Sequence, residues 1–171
     1  MNPLTDPLAD VRREEPNTLV FVRDLRHPPE LVWTALTDPE HLARWAPFEA
    51  DRPLNAPGDA TLTMIDGETR LPTTATVSRA EPPHLLEYSW GADTLRWELT
   101  PTETGTRLTL RHIVVEQGPE WLAKVAAGWH LCLVVADRLL AGEPVEPIRG
   151  QAAKAHGWDE LAAAYAERLG S

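Results

Sequence analysis

The sequence predicts an α+β fold in which a curved antiparallel sheet wraps around one long C-terminal helix. Residues 59–114 alternate between apolar and polar side chains in five short segments joined by turns, which is typical of antiparallel strands. Residues 119–142 then carry an apolar stripe with a helical period. The chain has 171 residues, which is enough for one domain with a substantial core.

Composition divides the chain into three parts. Residues 1–17 are polar and contain three prolines, so we expect a flexible N-terminal arm. Residues 18–142 hold the strongly periodic segments and form the predicted domain. Residues 143–171 form a C-terminal extension, in which the amphipathic segment 158–169 predicts a short helix that packs on the domain.

The first elements of the domain are a strand and two short helices. Residues 18–26 are rich in branched and aromatic side chains and predict the strand. Pro28 and Pro29 open the first helix. The second helix is capped by Thr37 or Asp38 and ends before Pro47, and its Leu42 and Trp45 share one face.

Five strands follow, separated by turn sequences such as Asp66-Gly67 and Gly91-Ala92. They are predicted at 59–65, 73–81, 84–90, 93–101 and 106–115. In the last strand, Leu108, Leu110 and His112 share one face, because alternate residues of a strand point the same way.

The long helix at 119–142 carries its stripe on Trp121, Leu122, Val125, Trp129, Leu133, Ala136 and Leu140. The segment "LCLVV" in its second half is apolar on more than one side and needs a cover besides the sheet. The short helix at 158–169 and a second copy of the chain, in a homodimer, are the two candidates for that cover.

Charge and composition exclude several classes of partner. The formal net charge of −10 argues against nucleic acid and against an anionic membrane surface. No apolar run approaches the roughly 20 residues that a membrane span needs, and the N-terminus lacks a secretory apolar region, so we expect a cytoplasmic protein.

No metal or cofactor motif is present in the sequence. The single cysteine, Cys132, excludes an internal disulfide and a cysteine-based zinc site, and it falls on a buried-looking helix where an inert thiol is expected. The six histidines show no metal-binding spacing, and neither a GxSxG motif nor a glycine-rich phosphate loop occurs. We therefore expect no metal and no cofactor.

Three patterns occur in a characteristic order: "PPELVWTALTDPEHLARWAP", "LLEYSW…TLRWELTPTETGTRLTLRH" and "AGWHLCLVVADRLL". With the order of elements, they resemble the SRPBCC or START-like superfamily, which has the helix-grip fold. Over residues 18–142 the chain is most similar to the branch of activator of heat-shock-protein-90 ATPase homologues. The extension at 143–171 resembles those of some bacterial members.

The resemblance implies an internal cavity between the sheet and the long helix. It does not imply one activity, because relatives include lipid and hormone carriers, aromatic polyketide cyclases and co-chaperones. The candidate cavity residues are Trp45, Phe48, Met64, Trp90, Trp97, His112, Trp129 and Leu133. His112 is either a polar, hydrogen-bonded residue of the wall or a group that orients a ligand or transfers a proton.

Three functions remain open at this point. The favoured one is a binding protein for a small apolar or aromatic molecule, without catalysis. The second is a cyclase or dehydratase, which needs a second titratable group near His112, whereas Glu87, Glu98 and Asp93 are expected on the outer face or in turns. The third is a co-chaperone-like role in protein interaction.

Overall fold

The structure, a computed structural model, describes residues 6–170. Its strands are β1 (Asp10–Glu14), β2 (Thr18–Leu25), β3 (Phe48–Ala50), β4 (Gly58–Asp66), β5 (Thr69–Glu81), β6 (Leu85–Trp90), β7 (Asp93–Thr102) and β8 (Gly105–Ile113). Its helices are α1 (Pro29–Thr37), α2 (Pro39–Trp45), α3 (Leu122–Leu140), α4 (Ala152–Ala155) and α5 (Trp158–Leu169).

All eight strands form one curved antiparallel sheet in the order β1-β2-β8-β7-β6-β5-β4-β3. Strands β4 to β8 are consecutive hairpins, as their short turns predict. The pairing of β2 with β8 brings the first half of the chain beside the last strand, with Leu19 opposite His112. The predicted α+β helix-grip architecture is confirmed.

One face of the sheet supplies the core. Leu95, Trp97 and Leu99 of β7 are buried, and the first two lie opposite His112 and Leu110 of β8. The alternate residues, Arg96 and Glu98 among them, form ion pairs on the outer face. Helix α3 packs its buried face on this core, so the sheet and helix bury a common apolar layer.

Helix α5 packs on α3 and is the cover that the chain supplies for the second apolar side of that helix. Leu161 and Tyr165 of α5 are buried. The Tyr165 hydroxyl lies 2.8 Å from Nδ1 of His130 on α3 and accepts a 2.9 Å hydrogen bond from the Ala9 backbone N–H. Tyr165 therefore joins the extension, the long helix and the N-terminal segment.

The N-terminal arm expected at 1–17 contains regular structure. Residues 1–5 lie outside the described residues, but Asp10–Glu14 pair with β2 as an edge strand. The segment "DVRRE" lacks the apolar–polar alternation that predicts a strand, because an edge strand can carry charges on both faces without burying them. Ala9, just before β1, is buried against the core.

The start of the long helix also differs from the prediction. Pro119–Trp121 form a 3₁₀ turn, and α3 begins at Leu122. Because a 3₁₀ turn has about three residues per turn, Trp121 falls out of phase with the apolar stripe. It is 36% exposed, with the Lys124 ammonium 4.3 Å from its ring centre.

Candidate functional site

A cavity of about 230 Å³ lies between α3, the end of the β6–β7 hairpin, β8 and the C-terminal extension. We call it the inner chamber. Its walls are mainly apolar and aromatic, and they include Trp90, His112, Gly128, Trp129, Cys132, Ile148, Arg149 and Trp158. The chamber is therefore bounded by the sheet, the long helix and the extension together.

A second, more open cavity of about 450 Å³ adjoins the first, and we call it the outer chamber. The two chambers share four lining residues: Trp90, His112, Val125 and Trp158. The outer chamber adds polar groups that the inner one lacks, including Lys124, Glu116 and Gln117. Together they form one site with an apolar interior and a mixed opening.

Three side chains that line the chambers form a hydrogen-bonded chain. The Trp129 indole N–H donates to Nδ1 of His112 over 3.0 Å, and Nε2 of His112 lies 2.7 Å from Oδ2 of Asp93. Because an indole N–H can only donate, Nδ1 of His112 must be unprotonated. His112 is therefore neutral here, with its proton on Nε2 and directed to the Asp93 carboxylate.

Asp93 is held as a carboxylate by this arrangement. Burial would raise the pKa of Asp93, but hydrogen bonds from His112 and from the Val115 backbone N–H outweigh burial and lower that pKa below its usual value. Both carboxylate oxygens thus have partners. The chain fixes the plane of the His112 ring and, through it, the position of the Trp129 indole.

The expectation that Asp93 lies in a turn or on the outer face is wrong. Asp93 opens β7 directly after the Gly91-Ala92 turn, where Gly91 adopts a φ of +60°. It has the same parity as Leu95, which lies opposite His112, so its side chain points to the inner face. The alternation at Leu95, Trp97 and Leu99 extends back to Asp93 and was the signal that could have found it.

The structure brings together only part of the predicted site. Trp90, His112 and Trp129 line the inner chamber, and Met64 lines the outer one. Four others are fully buried in the core and line neither chamber: Trp45, Phe48, Trp97 and Leu133. That any of the eight contacts a ligand stays a prediction.

The indole N–H groups of the core tryptophans Trp45 and Trp97 have protein acceptors, whereas two of the tryptophans that line the inner chamber have none in the part of the chain that the structure describes. Trp45 donates to the Ala35 carbonyl over 2.8 Å, and Trp97 donates to the Tyr88 hydroxyl over 3.2 Å. Within residues 6–170, the indole N–H groups of Trp90 and Trp158 donate to no protein acceptor. Two of the chamber-lining residues thus carry indole donors without a protein acceptor in that range.

Gly128 provides much of the open space on the α3 side. A Cβ atom built at this position would have no other atom within 4 Å, so the missing side chain leaves a gap that faces the chamber. Cys132, one helical turn further along, also lines the chamber. Burial raises the pKa of its thiol to about 12, although the charge of Arg149 opposes this, so the thiol stays protonated at neutral pH.

Several lining residues lay outside the sequence-based set: Gly128, Ile148, Arg149 and Trp158. Gly128 carried a local signal, because a glycine inside a strongly apolar helix needs a reason. The other three belong to the extension, and nothing in their local pattern shows where that segment packs. Within residues 6–170, no group of three or more His, Cys, Asp or Glu is arranged to hold a metal ion.

The sequence model of the family described as "Activator of Hsp90 ATPase homolog 1-like protein" matches residues 26–140. The chain belongs to this family. The match includes both short helices, strands β3 to β8 and α3, and it ends before the extension. Two of the three walls of the inner chamber are thus family structure, and the extension is an addition to them.

Solved structures share the fold over most of the chain. A protein from Bordetella parapertussis is 25% identical with a TM-score of 0.67, and the similarity covers 92% of this chain and 88% of that one. A protein of unknown function from Enterococcus faecalis is 18% identical with a TM-score of 0.67, covering 98% and 91%.

An AHSA1-like protein from Aeromonas hydrophila is 20% identical with a TM-score of 0.60, covering 73% of this chain and 92% of that one. These similarities concern the fold and carry no activity to this chain. No curated protein is similar enough in sequence to this chain to count as a match. Within residues 6–170, no helix has both the length and the apolar character needed to cross a bilayer.

Proposed function

We propose that this protein binds a small apolar or aromatic molecule in the inner chamber. The observation that carries the proposal is a mainly apolar and aromatic cavity of about 230 Å³, in which the side chains of His112 and Trp129 are already bonded to each other. A dry apolar cavity of about 150 Å³ can hold benzene. The inner chamber thus has room for a somewhat larger ring system.

The chemistry of the walls defines the ligand further. Trp90 and Trp129 present aromatic surfaces, with ring centres 5.9 Å apart and planes inclined by 60°. The unpaired indole N–H groups of Trp90 and Trp158 favour a ligand that carries a hydrogen-bond acceptor, such as a carbonyl or hydroxyl oxygen. The open outer chamber accommodates a polar end of such a molecule.

His112 acts in this proposal as a positioning residue. Its two ring nitrogens bond Asp93 and Trp129, so it holds the Trp129 ring against the chamber and offers no free nitrogen to the ligand. This assigns to His112 the polar wall role rather than proton transfer.

Filling the inner chamber from Gly128 tests the proposal. Gly128→Leu places a branched side chain into the open space, whereas Gly128→Ala adds one methyl group and is the matched control. The probe is N-phenyl-1-naphthylamine, a neutral aromatic molecule whose fluorescence rises in apolar surroundings. We expect saturable binding to the wild type, retained in Gly128→Ala and weakened at least about tenfold in Gly128→Leu.

Circular dichroism checks that both variants keep the fold. Absence of saturable binding to the wild type would overturn the proposal, and so would equal affinity of the wild type and Gly128→Leu.

A cyclase- or dehydratase-like enzyme is the second candidate, favoured by one observation. The Asp93 carboxylate lies 2.7 Å from His112 and supplies the second titratable group that such chemistry needs. Proton transfer at Nδ1 of His112 then requires the Trp129 indole to give up its hydrogen bond. The ¹⁵N resonance of Nδ1 of His112, followed during titration with a ligand, separates the two functions: a resonance that keeps the value of an unprotonated nitrogen supports binding without catalysis, and one that moves to the value of a protonated nitrogen supports proton transfer.

Other expectations from the sequence stay predictions. These are the division of the chain at residues 17 and 142, a cytoplasmic location, and a homodimer. The homodimer is one of two candidate covers for the second apolar side of α3, and α5 covers that side.

A further inference from the structure

The C-terminal extension contributes a continuous wall to the inner chamber. We define the strap as residues 148–153, which lie within the connection from α3 to α5 and outside the family match at 26–140. Ile148, Arg149, Gly150 and Ala153 of the strap line the chamber, and Ile148 is buried. The shape of this wall is therefore set by residues that the family domain does not supply.

Arg149 anchors the strap to the end of α2. Its Nε donates to the Ala46 carbonyl over 2.8 Å and its Nη2 to the Ala43 carbonyl over 3.1 Å, with longer contacts of 3.5 Å to the carbonyls of Leu42 and Phe48. The last carbonyls of a helix lack helical partners and favour a cation.

Glu49 also lies near the guanidinium, with its Oε2 3.7 Å from Nη1 of Arg149. The Arg149 side chain is only 10% exposed. Its charge is therefore committed to protein groups and serves to position the strap rather than to bind a ligand.

A second anchor lies on the other side of the strap, at the end of β4. Gly150 has a φ of +56°, and a Cβ atom there would lie 2.1 Å from Oδ1 of Asp66. The next residue, Gln151, donates its backbone N–H to that same oxygen over 3.2 Å. Only glycine allows this close approach, so the strap is fastened to β4 as well as to α2.

We propose that the strap is the wall that closes one side of the ligand site and that Arg149 is the positioning residue that holds it in place. The inference rests on the proposed function. When the strap is released, one side of the inner chamber opens to water, and a bound apolar molecule loses its burial on that side. The affinity for the ligand is then weaker, chiefly because the ligand dissociates faster, since the other walls remain in place.

The test is Arg149→Met, with Arg52→Met as the matched control. Arg52 also donates to backbone carbonyls, to Asp59 over 2.9 Å and to Pro53 over 2.7 Å, but it lines neither chamber. We expect Arg149→Met to release N-phenyl-1-naphthylamine at least about tenfold faster in stopped-flow measurements, while Arg52→Met releases it at the wild-type rate.

Amide hydrogen exchange supplies a readout of the strap itself. Exchange at residues 148–153 should accelerate in Arg149→Met and stay unchanged in Arg52→Met. Arg149→Lys keeps the charge but loses the fork geometry, so its dissociation rate should fall between those of the wild type and Arg149→Met.

The outcomes distinguish this inference from the proposed function. A wild type without saturable binding overturns both. A wild type that binds, together with an Arg149→Met variant whose strap exchanges faster but whose probe dissociates at the wild-type rate, overturns the strap inference alone. If Arg149→Met fails to fold, Gly150→Ala displaces the strap through Asp66 and is judged by the same dissociation rate.

Discussion

Four tryptophans form a connected aromatic cluster with two halves, one that fills the core and one that borders the inner chamber. In the core half, Trp45 and Trp97 pack edge to face with ring centres 6.2 Å apart, and both are fully buried. In the site half, Trp90 and Trp129 border open space. Trp97 and Trp129, with ring centres 5.3 Å apart, join the two halves.

The surroundings of the rings, rather than the rings themselves, decide which half is filled. In the core half, each indole N–H meets a carbonyl or hydroxyl of the protein. In the site half, Gly128 leaves open space beside α3. The strap forms another wall of that space but does not fill it. Burial away from both chambers thus marks the structural tryptophans Trp45 and Trp97, and a ring that borders the inner chamber, as those of Trp90 and Trp129 do, marks a candidate for binding.

The largest expected effect comes from truncating one tryptophan in each half. Trp97→Ala should lower the free energy of unfolding by about 3–5 kcal/mol, because it removes a fully buried indole and leaves a cavity. Trp90→Ala should cost under about 2 kcal/mol, since this ring is only half-buried, yet it should abolish binding of N-phenyl-1-naphthylamine. Urea denaturation followed by circular dichroism measures both losses.

Equal losses of stability in the two variants would erase the distinction between the halves. Retention of probe binding by Trp90→Ala would remove that ring from the site.

An intermediate effect on stability is expected from Asp93, the acid whose hydrogen bond fixes His112 in the site half. Asp93→Asn should lower the free energy of unfolding at pH 7 by about 1–2 kcal/mol, through loss of the charge-assisted bond to His112. The folded pKa of Asp93 lies below the unfolded value of about 3.9, so the carboxylate stabilises the fold above about pH 4. That contribution is lost as the pH falls through the folded pKa.

The difference between wild type and Asp93→Asn should therefore shrink between pH 7 and pH 3, as measured by urea denaturation at both pH values. A difference that stays constant over this range would show that the Asp93 carboxylate does not stabilise the folded state.

The smallest effect should be a gain in stability at the open position of the site half. Gly128→Ala is expected to raise the free energy of unfolding by about 0.5–1 kcal/mol, because alanine favours a helix interior and its Cβ meets nothing within 4 Å. Thermal denaturation measures the gain. Gly105→Ala is the contrasting control and should destabilise, since its Cβ would lie 2.2 Å from the Leu25 carbonyl oxygen.

Trp45 shows how far local pattern could go. The sequence pattern places it on a short helix before Pro47, on one face with Leu42, and makes it one of the candidate cavity residues. The structure places its ring in the core, where it is 1% exposed and donates to the Ala35 carbonyl on the preceding helix. That contact spans ten residues and depends on how α1 and α2 pack, which the helical period alone does not specify.

The sequence by itself determined the strands β2 and β4 to β8, both short helices, the long helix and α5, because burial on one face imposes a period of two or 3.6 on their side chains. It also placed His112 on the inner face. The edge strand β1, the Asp93–His112–Trp129 chain and the strap were decided only by the tertiary structure. Each depends on partners distant in sequence, such as Arg149 at the end of α2, and leaves no period in the chain.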